Sequence, residues 1–131
     1  MRSPLLILLL LSLLVATAQA KLSVEVAEPK QTASKVVVKL TMKNQFAEKV
    51  ESARATIFLM DAQGKVVGQA TQWVIGGTTD RPELKPDATA TYNFVITTDK
   101  SFTKAQLLFN RVILEAGKVA EPQGAVEITY K

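Results

Sequence analysis

Between Lys35 and Lys43 the chain alternates: Val36, Val38, Leu40 and Met42 fall on one side, while Lys35, Lys39, Thr41 and Lys43 fall on the other. Successive side chains leave opposite faces of a strand, so a period of two commits the apolar set to a core and the lysines to water. Residues 51–60 repeat the pattern with Ala53, Ala55, Ile57 and Leu59 inward, although Phe58 and Met60 make the other face partly apolar. Leu22, Val24 and Val26 give a short first strand that Pro29 stops. No connection carries helical apolar spacing over the length a crossover helix needs, which argues against parallel strands joined by helices.

Turn chemistry separates the strands. Asp61-Ala62-Gln63-Gly64 supplies an aspartate that bonds its own backbone and a glycine suited to positive φ, the ingredients of a short hairpin. Val66 returns as a strand to Ile75, with Gly68 a bulge or twist point. Residues 76–87 have two glycines, two prolines and no periodicity, and read as a crossing loop. Tyr92, Phe94 and Ile96 alternate in the next strand; residues 105–114 form another; after a turn at Gly117 comes a last strand in which Val126, Ile128 and Tyr130 share a face. Seven short strands with regular turn signals predict an all-β fold, a seven-stranded immunoglobulin-like β-sandwich over residues 21–131, with a small barrel as the alternative. With no cysteine in the chain, the likeness is to the architecture and not to a disulfide-linked antibody-type domain.

Residues 1–20 read as a signal peptide. Arg2 supplies the positive start, Leu5 to Val15 the apolar run, and Ala18-Gln19-Ala20 the small-x-small cleavage site. The run falls short of the roughly 20 residues of a spanning helix, and no later stretch reaches that length, so no transmembrane segment is expected in the mature chain. The expected location is outside the cytoplasm, periplasmic or secreted. The lack of disulfides, and of any glycosylation acceptor at Asn44, Asn93 or Asn110, points to a bacterium. A net charge of +4 over the whole chain is too mild to imply nucleic acid.

Two segments resemble a known family. Ile57-Phe58-Leu59-Met60-Asp61 followed by Gly64-Lys65-Val66-Val67-Gly68, and then Leu84-Lys85-Pro86-Asp87-Ala88-Thr89-Ala90-Thr91-Tyr92, are similar to the bacterial FxLYD domains. Those domains end a strand in aromatic-x-Leu-Tyr-Asp, turn on a glycine, and launch a later strand from Leu-x-Pro-Gly-Glu. Here Ile57 stands for the aromatic, Met60 for the tyrosine and Asp87-Ala88 for Gly-Glu. The resemblance covers about residues 30–113 and implies an extracytoplasmic immunoglobulin-like module without implying an activity.

The absences narrow the chemistry. There is no histidine and no cysteine, which removes the commonest general base, the thiol nucleophile and the usual zinc and type-1 copper ligands. Met42 and Met60 lie on different strands at packing positions. Asp80, Glu83 and Asp87 share a loop but lack calcium-loop spacing and stand among Arg81 and Lys85, as solvated loop charges do. Ser34 beside Lys35 would point to opposite faces, and Ser101 near Lys104 has no apolar pocket to lower a lysine pKa. No catalytic residue, metal or cofactor is expected.

What remains are surfaces. Lys35, Lys39 and Lys43 form a cationic row that would meet anionic headgroups or an acidic partner, or simply guard a strand against edge pairing. Trp73 is a core anchor if buried and a contact residue if exposed, with Phe58 a second outer anchor. The 76–87 loop, carrying Arg81, either inserts into a partner or crosses between sheets. The expectation is a non-enzymatic exported module that binds another envelope or secreted protein through a strand edge or this loop. The alternatives are a self-assembling structural subunit of the envelope and a loop-based inhibitor of a secreted protease.

Overall fold

The computed structural model describes residues 21–131; the leader-like segment 1–20 lies outside the described residues. Strands β1 (Leu22–Val26), β2 (Lys30–Thr32), β3 (Lys35–Asn44), β4 (Val50–Met60), β5 (Val66–Ile75), β6 (Thr89–Thr97), β7 (Lys104–Leu114), β8 (Val119–Ala120) and β9 (Val126–Tyr130) follow one another, with a single α-turn, α1 (Pro122–Ala125), before the last. The alternation in the sequence is the alternation of burial. Val36, Val38, Leu40 and Met42, and opposite them Ala53, Ala55, Ile57 and Leu59, are all fully buried.

The strands form two separate sheets packed face to face, which decides for a sandwich over a barrel. In the first sheet β3 is central: β6 pairs along one side of it, β2 and β1 share the other side, and β9 runs parallel to β1. The second sheet has the order β5-β4-β7-β8. The β3–β6 and β4–β7 pairs interlock the sheets in the Greek-key manner of immunoglobulin-like domains. There are nine strands rather than the seven expected, and the two additions are the shortest. After Pro29 the chain rejoins the edge of β3 as β2, and after Gly117 it returns beside the end of β7 as β8. Neither is long enough to show an alternating pattern.

The β4–β5 hairpin closes as its turn residues predict. Asp61 Oδ1 accepts the backbone N–H groups of Gln63 and Lys65, both at 2.9 Å, and Gly64 takes a φ of +79°. Leu59 pairs with Gly68 but Met60 pairs with Val66, so Val67 is the bulged residue beside the glycine.

Asn44, at the end of β3, is fully buried. Its side-chain amide donates to the carbonyls of Glu48 (2.9 Å) and Leu84 (3.0 Å), and its Oδ1 accepts the Phe46 N–H at 2.9 Å. Its backbone bonds Ala88 and Asp87. One residue thereby ties the β3–β4 turn to the segment that carries the chain from the second sheet back to the first. Asn44→Ala removes three side-chain bonds and strands buried polar groups, so we expect a loss of about 3 kcal/mol in a denaturant titration. Asn44→Asp should lose at least as much, because it gives up both donated bonds and buries a charge.

Candidate binding site

The residues singled out in the sequence do not converge on one site. Lys35, Lys39 and Lys43 stand exposed on the outer face of the first sheet. Phe58 and Trp73 are half-buried on the outer face of the second sheet, where Phe58 opposes Gln69 and Trp73 opposes Arg54. Trp73 is thus outside the core. The Arg54 guanidinium lies 5.9 Å from its ring centroid, and Gly77 packs against the ring so closely that a Cβ there would collide with it.

Arg81 belongs to a third place, the seam between β5 and β6. Its guanidinium donates to the Trp73 carbonyl and stacks over Tyr92 at 4.6 Å from the ring centroid. The 76–87 loop around it is fastened at several points. Gly76 N–H donates to Pro82, Leu84 and Val50 exchange backbone bonds, and Lys49 pairs with Glu83 at 3.1 Å. The Thr78 hydroxyl donates to Asp80 at 2.7 Å, and that bond, followed by one from the backbone, holds the Asp80 carboxyl below the usual carboxylate range. At the other end of this seam Thr98 donates its hydroxyl to the Val67 carbonyl. Bulges at Val67 and Val74 bend β5 as well, so this flank offers no straight run of free backbone.

The opposite flank differs. On its outer side β7 is paired with β8 only at Val112 and Ile113. Pro122 then begins a turn of helix, and the chain continues as β9 on the other sheet, against β1. Proline cannot extend the ladder, so among the described residues the remainder of β7 has no strand on its outer side. The Leu107 N–H points into this gap and donates to the Tyr130 hydroxyl at 3.0 Å. Alternation along a strand puts the N–H and C=O groups of Ala105 and Phe109 on the same open side.

Two concavities line the gap. One, of about 360 Å³, lies between Val26–Pro29, Lys104–Gln106 and Tyr130. The other, of about 640 Å³, is walled by Leu107, Phe109, Pro122, Val126 and Ile128. Three exposed large apolar residues, Leu108, Val119 and Tyr130, lie on β7, β8 and β9. None of these was singled out in the sequence. The shared face of Val126, Ile128 and Tyr130 was legible, but its signal is the same whether it faces a core or a gap.

No family model matches the chain and no curated protein sequence does. Solved structures do share its fold. A Bordetella pertussis protein assigned the name ApaA is 15% identical, with 77% of this chain and 85% of that one covered at a TM-score of 0.55. IrmA from Escherichia coli is 12% identical, covering 85% and 92% of the two chains at 0.54. A structural-genomics target designated SoR45 is 18% identical, covering 78% and 77% at 0.50. At these identities the likeness is one of fold alone.

Among the described residues no three acids gather as a metal site would require, and no helix is long and apolar enough to cross a membrane. Tyr130→Phe should leave the Leu107 N–H without its acceptor. Amide exchange at Leu107 should quicken severalfold, with a loss of about 1 kcal/mol in global stability.

Proposed function

We propose that this protein is an exported, non-enzymatic immunoglobulin-like module that receives an extended segment of another envelope or secreted protein along the open edge of β7. The observation that carries this reading is the eleven-residue β7 strand, paired on its outer side at only two residues and bordered by two partly apolar concavities. An incoming strand would take up the backbone groups that Ala105 and Phe109 turn to the open side, and would replace the Tyr130 hydroxyl as the acceptor for the Leu107 N–H. Its alternate side chains would enter the concavities on either side of Tyr130, the division of labour usual in strand addition. The pinned 76–87 loop fits a crossover better than an inserting arm. The leader-like residues 1–20 and the FxLYD-like segments agree with a role outside the cytoplasm.

Ala105→Pro tests the proposal. The N–H it removes faces the gap and makes no bond to β4, so proline there is tolerated as on other edges, at a cost of about 1 kcal/mol. A photo-reactive residue at position 108 should capture a partner in the native envelope, and Ala105→Pro should weaken that partner at least about tenfold. Exchange of the Ala105, Leu107 and Phe109 amides should slow in the reconstituted complex. If these amides exchange unchanged in the complex, the edge is not the site. Concentration-dependent dimers that protect the same amides without a partner would instead assign the edge to self-assembly.

A further inference from the structure

We propose that the outer face of the first sheet docks flat on an anionic lipid surface. This inference does not depend on the β7 edge. Register places Lys35, Lys39 and Lys43 of β3 on this face, and Lys30 of β2, opposite Val37, joins them. All four are exposed, and among the described residues none has a carboxylate within ion-pairing distance. The two acids that register puts on the face are already neutralised: Glu25 by Lys131 at 3.3 Å and Glu127 by Lys21 at 3.2 Å.

The resulting asymmetry is large for so mildly charged a chain. Arg2 is the only charge among residues 1–20, so residues 21–131 keep three of the four net positive charges. Four unpaired lysines on one face exceed that total, which leaves the rest of the surface slightly acidic. Lysines four residues apart on a strand are about 13 Å apart, beyond the screening length at physiological salt, so Lys35, Lys39 and Lys43 repel one another little, while Lys30, diagonal to Lys35 and Lys39 at about 7–8 Å, concentrates charge at that end of the face.

The shape of the face selects the occupant. None of these lysines lines the concavity of about 440 Å³ that opens at the β1–β9 end of the face between Ser23, Asp87 and Glu127, so the cations are presented on an open surface. Around them stand Thr41, Thr89, Thr91, Asn93 and Thr97, short side chains on the same face. In the middle, Val37 and Val95 face each other across the β3–β6 ladder, 37% and 53% exposed, with Lys35 and Lys39 before and after Val37 and Lys30 beside it. An apolar pair bordered by cations on its β2–β3 side matches a leaflet, which presents charge at the headgroups and hydrocarbon beneath. A soluble polyanion would gain from the lysines but nothing from the valines. Each lysine near an anionic leaflet adds roughly a fivefold gain in partition, so the four together add on the order of several hundredfold.

The test is co-sedimentation of the chain from Lys21 onward with vesicles of phosphatidylcholine alone or mixed with phosphatidylglycerol. Binding is expected only to the mixed vesicles at low salt, and about 0.5 M salt should abolish most of it. The triple variant Lys35→Glu, Lys39→Glu, Lys43→Glu should not bind. The charge-matched Lys65→Glu, Arg111→Glu, Lys118→Glu should keep binding, and Lys39→Gln alone should cost about fivefold, so the outcome does not hang on the folding of a triple variant. Val37→Ser with Val95→Ser should weaken binding severalfold without changing its salt dependence. Equal partition into both vesicle types, equal losses in the two triple variants, or capture of soluble heparin without vesicle binding would each overturn the assignment.

Discussion

The buried amide of Asn44 is the interaction on which the arrangement of the two sheets depends. A Greek key must carry its chain from one sheet to the other, and here the carrier is the segment after β5, which has no ladder of its own to hold it. Asn44 supplies the holding points: a carbonyl of that segment, two backbone bonds to Asp87 and Ala88, and both sides of the β3–β4 turn. Because the site is fully buried, each bond works in a low dielectric and none is exchanged for water without loss. Leu84 then enters the core beside Val50, and Arg81 reaches the β5 edge.

The same logic of satisfying backbone groups explains why the two flanks of the sandwich differ. On the β5–β6 flank, side chains serve as plugs: Thr98 bonds one carbonyl of β5 and Arg81 another. On the β7–β9 flank, the last strand begins to complete the second sheet as β8, is broken at Pro122, and finishes on the first sheet. One tyrosine hydroxyl bridges what is left open. A free edge is a liability that proteins usually cover or charge, so the regular run from Lys104 to Phe109, which ends at the bulge at Asn110 and is bordered by apolar walls, fits a place kept for an incoming strand.

Charge is distributed with similar asymmetry. Glu25 and Glu127 on the first sheet's outer face are each matched to a lysine just outside a strand, which leaves the β2–β3 lysines without a carboxylate partner among the described residues. The second sheet's outer face instead carries Arg54 against Trp73, with Phe58 further along the strand. The cationic face, the aromatic face and the open edge therefore look in three directions, and contact through one leaves the others accessible.

The strands were legible because one-sided burial forces a period of two, and the sequence shows it from Lys35 to Lys43 and again over residues 51–60; the Asp61–Gly64 turn was legible because only a few residue types close so short a loop. The cationic row could likewise be read from Lys35, Lys39 and Lys43 alone. Lys30 could not, since three residues after a proline carry no period, and neither could the neutralisation of Glu25 and Glu127 by residues about a hundred positions away in the chain. Trp73 could be assigned to a strand but not to a face, because the bulge at Val74 resets the alternation just beyond it. Sequence alone determined which residues are extended and which sides of them are apolar, since both follow from local backbone geometry. Only the tertiary structure decided which strands stand at an edge, that Asn44 joins three segments, and that Tyr130 spans a gap, because pairing between distant strands is set by the packing of the whole core and leaves no mark on any one stretch of chain.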